Sequence, residues 1–221
     1  MYQTVIFDLD GTLLNTIDDL GDAANWVCQQ NGWPTHTMDE YKTFVGNGIP
    51  KLVERFTPPD RRDPHTLETA LAQFQRRYDA HKEDKTAPYP GILPLLEALS
   101  EGNVTVGVLS NKDDDMARQV IRHYFGGRVT FVQGRKQGVA PKPDPTGLFQ
   151  LMEKMEADPA TTIFVGDSDV DIATGHNGYL PAIGVLWGFR TFEELNRAGA
   201  EYIVDTPQAL AEIIFGQKGT I

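Results

Sequence analysis

Thr4-Val5-Ile6-Phe7-Asp8-Leu9-Asp10-Gly11-Thr12 is an apolar run that stops abruptly at two carboxylates and a glycine. Its first four residues read as a strand. In open α/β sheets ligands bind beyond the carboxyl ends of the strands, so the loop 8–12 stands where a site belongs. Alternation sends Asp8 and Asp10 roughly the same way, and Gly11 lets the main chain approach a ligand closely. Taken alone, the loop also reads, less readily, as an ordinary turn built from Asp and Gly.

The same pattern recurs outward from this stretch. Residues 104–109, 129–132, 162–165, 182–186 and 202–204 are short β-branched runs, and helical stretches lie between them. Ile92, Leu95, Leu96 and Leu99 form one helical stripe before Gly102, and Met116, Val120 and Tyr124 form another before Gly126-Gly127. Strand and helix in alternation predict an α/β fold, a parallel sheet covered on both faces. Residues 15–87 break the pattern, with helical periodicity and no convincing strand. Thr37 with Glu40 spells a capping box, Pro58-Pro59 ends a helix, and Leu67, Leu71, Phe74 and Tyr78 stripe another. The expected organisation is a core of residues 1–14 and 88–221 with a small α-helical cap, 15–87, inserted through hinges after Leu14 and at Pro88-Tyr89-Pro90-Gly91.

Composition narrows the class. The 221 residues carry 20 Lys+Arg against 31 Asp+Glu, a formal net charge of -11, which disfavours nucleic acid and anionic membranes as partners. Cys28 is the one cysteine, in a helical stretch with Ala24 and Val27, and reads as a buried inert thiol. Without an apolar run of spanning length or a leader pattern, the expectation is a soluble, cytoplasmic protein.

Three further stretches carry chemistry. Leu109-Ser110-Asn111-Lys112 ends a strand with a hydroxyl and an amide able to hold phosphate oxygens, although both residue types also serve turns and caps. Asp113, Asp114 and Asp115 suit the first turn of the next helix. Lys142 lies within Ala140-Pro141-Lys142-Pro143-Asp144-Pro145, where prolines restrict the direction of its stem. Phe164-Val165-Gly166-Asp167-Ser168-Asp169-Val170-Asp171 again ends an apolar strand in glycine and carboxylates. Acidic residues ending two strands, Asp8 and Asp167, would meet at one end of the sheet as hard oxygen ligands of the kind magnesium requires. Asp169 also fits a plain acidic helix start.

Together, Asp8-x-Asp10-Gly11-Thr12, Ser110-Asn111, Lys142 and Gly166-Asp167-Ser168 with Asp171 resemble the haloacid dehalogenase-like superfamily of phosphotransferases over essentially the whole chain. The resemblance implies a Rossmann-like core with a cap inserted after the first motif. It makes Asp8 the nucleophile and Asp10 the general acid and base. It places the phosphoryl group on Ser110, Asn111 and Lys142 with Gly11 and Thr12. It sets Mg2+ on Asp8, the Asp10 carbonyl and Asp167, with Asp171 and Ser168 in support. The implied activity is hydrolysis of a small phosphorylated metabolite through an aspartyl-phosphate. The physical need is plain, since a carboxylate approaching a phosphate meets repulsion of about 4 kcal/mol per unit pair at about 4 Å and an effective dielectric near 20. A cation and Lys142 are required to cancel it.

Substrate choice would rest with the cap, which closes over the site. Phe44-Val45-Gly46-Asn47-Gly48 and Leu186-Trp187-Gly188-Phe189-Arg190 look like segments of phosphoglycolate phosphatases and related pyrophosphatases, and Gly-Asn-Gly is also a common interhelical turn. Gly46, Asn47 and Lys51 are the substrate-side candidates, and Lys51 and Arg55 also fit a solvated face. The best expectation is 2-phosphoglycolate. Alternatives are a pyrophosphatase, a sugar-phosphate phosphatase or mutase, a phosphonate hydrolase using Lys51, and a non-catalytic phosphate-sensing module. Asp10 argues against a dehalogenase, and retention of Asp8, Asp10 and Asp167 argues against the sensing module.

Overall fold

Side chains along the first strand separate to opposite faces of a sheet. Val5 and Phe7 enter one apolar cluster and Ile6 enters another, as the two-residue period of a strand demands. In the computed structural model, which describes residues 1–216, the chain begins β1 (Thr4–Phe7), β2 (Leu14–Asn15), α1 (Ile17–Gln30), α2 (Met38–Phe44), α3 (Ile49–Phe56), α4 (Pro64–His81) and β3 (Ala87–Pro88). It continues through α5 (Ile92–Glu101), β4 (Thr105–Asp113), α6 (Asp114–Phe125), β5 (Phe131–Arg135), α7 (Thr146–Met155) and β6 (Thr162–Gly166). Then follow α8 (Asp169–Asn177), β7 (Ala182–Val185), α9 (Phe192–Ala198), β8 (Tyr202–Val204) and α10 (Pro207–Ile214). The chain divides into two compact units, Met1–Leu14 with Pro88–Ile221, and Asn15–Ala87.

The first unit is built on a six-stranded sheet of order β5-β4-β1-β6-β7-β8, parallel at every pairing. Val5, Phe7, Val106, Val108, Ile163, Val165, Ile183 and Val185 face α5, α6 and α10. Ile6, Phe164 and Ala182 face the other way, towards Leu148 and Leu151 of α7, Ile172 of α8 and Leu195 of α9. This is the α/β parallel sheet that the alternation predicts and the Rossmann-like core that the resemblance implies. From β1 the order runs outwards in both directions, so the crevice beyond its carboxyl end is the topological switch point where such sheets bind ligands.

Two strands of this sheet depart by more than one residue from the sequence expectation, and the two-residue strands β2 and β3 were not expected. Residues 129–132 read as a strand, but Gly126–Arg128 forms a 3-10 turn and pairing begins at Phe131, opposite Gly107. Residues 104–109 read as the next, whereas β4 reaches Asp113 because Asp113 pairs with Arg135 after a shift in register that begins at Leu109. Residues 110–112 occupy that irregular stretch, and such irregularities redirect side chains beside functional sites.

The second unit contains α1 to α4. Thr37 and Glu40 make the expected reciprocal capping box. Asn25 exchanges two hydrogen bonds with the main chain of His36 and accepts the Tyr41 hydroxyl proton. Phe74 packs between Phe56 and Tyr78, at 6.2 and 5.6 Å between ring centroids. Buried Asp19 accepts the main-chain protons of Lys85 and Thr86 and the Thr86 hydroxyl, which joins the first turn of α1 to the far end of the same unit. Cys28 is free and buried. No helix among the described residues is long and apolar enough to cross a membrane.

Candidate active site

The carboxyl ends of β1, β4 and β6 lie side by side, and each ends in residues singled out by the sequence. Asp8 follows β1 and donates its N–H to Val165 O at 2.8 Å, which fixes its backbone against the neighbouring strand. Asp167 follows β6. Asp8, Asp167 and Asp171 are all buried, and one carboxylate oxygen from each lies within 4.8 Å of the others.

Lys142 ties this cluster together. Its Nζ donates to Asp8 Oδ1 and to Asp171 Oδ1, both at 2.6 Å, and lies 5.7 Å from the centroid of the Phe164 ring. The lysine is itself held by Asn111, whose Oδ1 accepts the Lys142 N–H at 2.8 Å while its Nδ2 donates to Lys142 O at 3.2 Å. Asp171 serves two partners, because its Oδ2 accepts from the Ser168 N–H and hydroxyl while Oδ1 holds the lysine. One side chain therefore both closes the first turn of α8 and holds the lysine. Asp169, the first residue of α8, is largely exposed, with Arg190 Nε 3.8 Å away.

Asp167 is oriented from two sides. Thr12 Oγ1 donates to its Oδ1 at 3.1 Å, and the Phe189 N–H donates to its Oδ2 at 2.8 Å. Gly11, at φ +97°, and Gly188 close the remaining space. A Cβ on Gly11 would strike the Asp167 carboxylate, and one on Gly188 would strike Asp167 and Gly11 O. Trp187 Nε1 donates to Thr12 O at 2.9 Å, locking the 186–190 segment to the first loop.

These contacts leave the cluster short of positive charge. Burial pushes the Asp8 carboxyl well above the ordinary carboxylate range; Lys142 opposes the shift, while Asp171 and Asp167 add to it. Asp167 is pushed up to about 7, by burial first and then by Asp171, against the Phe189 N–H, Arg190 and Thr12. Burial alone would pull the Lys142 ammonium down, but Asp171 and Asp8 hold it above its usual value. Clustered hard oxygen donors with one lysine among them suit a divalent cation, so the residues present fit a metal ion.

Asp10 stands apart from this cluster. Lys112 Nζ donates to both of its carboxylate oxygens, at 2.8 and 3.1 Å. Ser110 Oγ accepts the Lys112 N–H at 3.1 Å. The helical unit presents a different picture for Gly46, Asn47 and Lys51. Arg55 donates to Phe44 O at 2.6 Å and to Asn47 Oδ1 at 2.8 Å, between glycines at φ +120° and +84°. Lys51 makes an exposed ion pair with Glu54 at 2.8 Å.

The family model for haloacid dehalogenase-like hydrolases matches residues 5–185. The chain belongs to this family. The phosphoglycolate phosphatase of Psychrobacter arcticus is 27% identical over 220 residues, covering 96% of this chain and 95% of that one. That of Agrobacterium fabrum is 30% identical, with 95% and 91% covered. A crystal structure of a phosphoglycolate phosphatase candidate from Lactobacillus delbrueckii subsp. bulgaricus superimposes with a TM-score of 0.91 at 31% identity, covering 96% of this chain and 98% of that chain. The chain is thus an enzyme, a phosphatase of the haloacid dehalogenase-like hydrolases.

For this hydrolase the structure gathers Asp8, Gly11, Thr12, Ser110, Asn111, Lys142, Asp167, Ser168 and Asp171 at one end of the sheet. Three neighbours of these carboxylates escaped the sequence reading. Lys112 stood in the quoted stretch without a role, and its pairing with Asp10 spans 102 positions, which no local pattern reveals. Gly188 and Phe189 were noted only as a resemblance, although a glycine following the apolar run 182–186 repeats the signal used at Gly11 and Gly166.

Proposed function

We propose that this phosphatase is magnesium-dependent, works through a phosphorylated Asp8, and hydrolyses a small phosphate monoester, with 2-phosphoglycolate the leading substrate. The observation that carries the mechanism is the buried Asp8 carboxylate with the Lys142 ammonium 2.6 Å from it. A weak nucleophile that is buried beside a fixed cation is prepared to meet a phosphate. The substrate assignment rests on the relatives' names and on the 44–48 and 186–190 segments.

Bound Mg2+, held by Asp8, Asp167 and the Asp10 carbonyl with Asp171 in support, would supply positive charge against phosphate oxygens and keep the Asp8 carboxylate ionised. The chain's own groups carry the remaining steps. An Asp8 oxygen attacks phosphorus as the bond to the leaving oxygen breaks, and the Asp10 carboxyl gives its proton to that oxygen. Water then attacks the phosphorus of the acyl-phosphate while the Asp10 carboxylate takes the water proton. The bond to Asp8 breaks, and inorganic phosphate leaves with Asp8 restored. Lys142 offsets charge on the transferring group throughout, and the Ser110 hydroxyl and the amides near Gly11 donate to its oxygens. Asn111 acts through Lys142, whose main chain it grips. Proton transfer by Asp10 adds roughly 10²- to 10⁴-fold. We assign substrate selection to residues 15–87.

The test is phosphate release from 2-phosphoglycolate, pyrophosphate, hexose phosphates and a phosphonate, with magnesium and with EDTA, for wild type and Asp8→Asn. Peptide mass spectrometry of a quenched reaction would then locate the phosphoryl group. Phosphate found on Asp8, and turnover lost in EDTA and in the variant, are the expected results. Undiminished turnover in Asp8→Asn would falsify the mechanism, and a better ester than 2-phosphoglycolate would replace the substrate.

A further inference from the structure

Lys112 is buried, with a side chain 4% exposed, in an irregular stretch of β4 two residues beyond Ser110. A lysine taken out of water is destabilising unless its charge is met. The carboxylate that meets it is Asp10, and the contact is two-pronged, 2.8 Å to one oxygen and 3.1 Å to the other. Two hydrogen bonds from one ammonium orient the carboxylate plane as well as its position. The Asp10 side chain remains 16% exposed, so an edge stays open to an incoming molecule.

The two lysines at the sheet end hold different carboxylates. Lys142 holds Asp8 and Asp171, and Lys112 holds Asp10. Asp10 sits in a loop whose other neighbours are small or apolar: Leu9, Gly11 and Thr12. Asp10 follows β1 and Lys112 lies in the adjacent β4, three residues past Phe7 and four past its partner Val108, and the irregularity of β4 after Leu109 takes up the difference. We propose that Lys112 is the positioning residue for the proton carrier Asp10: it holds the carboxyl where the leaving oxygen departs and where water later arrives. The inference rests on the aspartyl-phosphate reading above. In the first step the proton moves from Asp10 to the leaving oxygen as the phosphorus–oxygen bond breaks; in the second it returns to Asp10 from the attacking water. Lys112 itself neither gains nor loses a proton.

A leaving-group comparison tests this. p-Nitrophenolate departs without needing a proton, whereas the alkoxide of an alkyl phosphate needs one. Lys112→Met and Lys112→Arg are assayed on 2-phosphoglycolate and p-nitrophenyl phosphate, by rapid quench for the first step and by steady state for turnover. For Lys112→Met the first step on the alkyl ester should fall by about 10²-fold, the scale of a misplaced reacting group. On the aryl ester the burst of p-nitrophenolate should stay within about 3-fold of wild type, an allowance for small local repacking. Water activation should slow for both esters, so phosphorylated Asp8 accumulates with the aryl ester and KM there falls along with kcat, KM rises for neither ester, and Lys112→Arg recovers most of the loss. Equal loss on the two esters in the first step, or a raised KM with kcat intact, would overturn the assignment, the latter making Lys112 a substrate-binding group. If Lys112→Met does not fold, the alkyl-to-aryl ratio in Lys112→Gln decides in its place. Absence of any phosphorylated Asp8 in wild type would bring down the aspartyl-phosphate reading and this inference with it. A phosphorylated wild type with no leaving-group signature brings down this inference alone.

Discussion

The carboxylates at the end of the sheet and the 44–55 segment of the helical unit are both rich in charge, yet they solve opposite problems. At the sheet end, Asp8, Asp167 and Asp171 are buried around one lysine, which compensates only part of their charge. In the 44–55 segment, Lys51 meets Glu54 in solvent and Arg55 donates to Phe44 O and Asn47 Oδ1, so each cation has a partner within the segment. A protein retains buried, unbalanced charge where it does chemistry, because that imbalance weakens the fold. A matched, exposed segment carries no such mark, which is why reaction type is easier to read here than substrate.

The sharpest way to break this contrast is to remove the nucleophile. Asp8→Asn keeps shape and burial but abolishes the attacking charge, and kcat should fall by about 10⁴-fold or more, as when other enzymes lose their nucleophile. Lys142→Met comes next. It strips the cluster of its internal cation, and kcat should fall by about 10²- to 10³-fold, the scale of one lost electrostatic stabiliser in a preorganised site. Both are read as phosphate release at saturating substrate. If Lys142→Met were as active as wild type, the cluster would be structural only, and the contrast with the 44–55 segment would disappear.

Stability against pH sharpens the same point without any substrate. The ordinary aspartyl carboxyl ionises near 3.8, but folded Asp167 does so at about 7. The folded protein therefore holds a proton that the unfolded chain gives up across that interval. Stability from this group is complete below the lower value and drains away as pH rises through the upper one, and Asp8, shifted the same way, adds to the trend. In EDTA, Tm should drop between pH 5 and pH 8 by more than about 4 °C, given roughly 2–4 °C per kcal/mol for a chain of this size. Added magnesium should flatten that slope, because it favours the ionised carboxylates. A flat profile in EDTA would mean that the buried negative charge is already balanced.

Legibility in the sequence follows the same division. The alternating β-branched runs revealed the sheet because burial on both faces leaves a strong local pattern, as in Thr4–Phe7 and Thr162–Gly166. The residues ending those strands were legible because glycine next to carboxylates after an apolar run is hard to explain by folding alone. Lys112 was not legible, because an interior ion pair between residues 102 positions apart depends on which strands become neighbours. The grip of Asn111 on Lys142 was likewise hidden, so an amide expected on phosphate is found on the lysine's main chain. The true end of β4 escaped too, since Asp113 belongs to the strand only through its pairing with Arg135.

Within the helical unit the expected effects are smaller and graded. Arg55→Ala removes the donors that hold Phe44 O and Asn47 Oδ1, and should destabilise the protein by about 1–2 kcal/mol in urea denaturation, the scale of lost charged hydrogen bonds at a part-buried site. If residues 45–48 select substrate, the KM for 2-phosphoglycolate should rise in this variant while kcat on p-nitrophenyl phosphate holds.

The smallest effect belongs to Lys51, and it bears directly on substrate choice. Its side chain is 45% exposed and paired to Glu54 one helical turn on, an arrangement that contributes little in water. Lys51→Ala should leave stability within about 0.5 kcal/mol of wild type. A phosphonate hydrolase needs a lysine that forms a Schiff base, and an exposed, ion-paired ammonium is a poor nucleophile because its proton is held by the carboxylate beside it. Borohydride trapping with phosphonoacetaldehyde should therefore give no adduct at Lys51, and kcat/KM for 2-phosphoglycolate should stay within about 2-fold in Lys51→Ala, as for surface changes away from a site. An adduct at Lys51 would move the chemistry into the helical unit and end its contrast with the buried carboxylates. A loss of turnover confined to KM would instead make Lys51 the substrate-side cation that the 44–55 segment otherwise lacks.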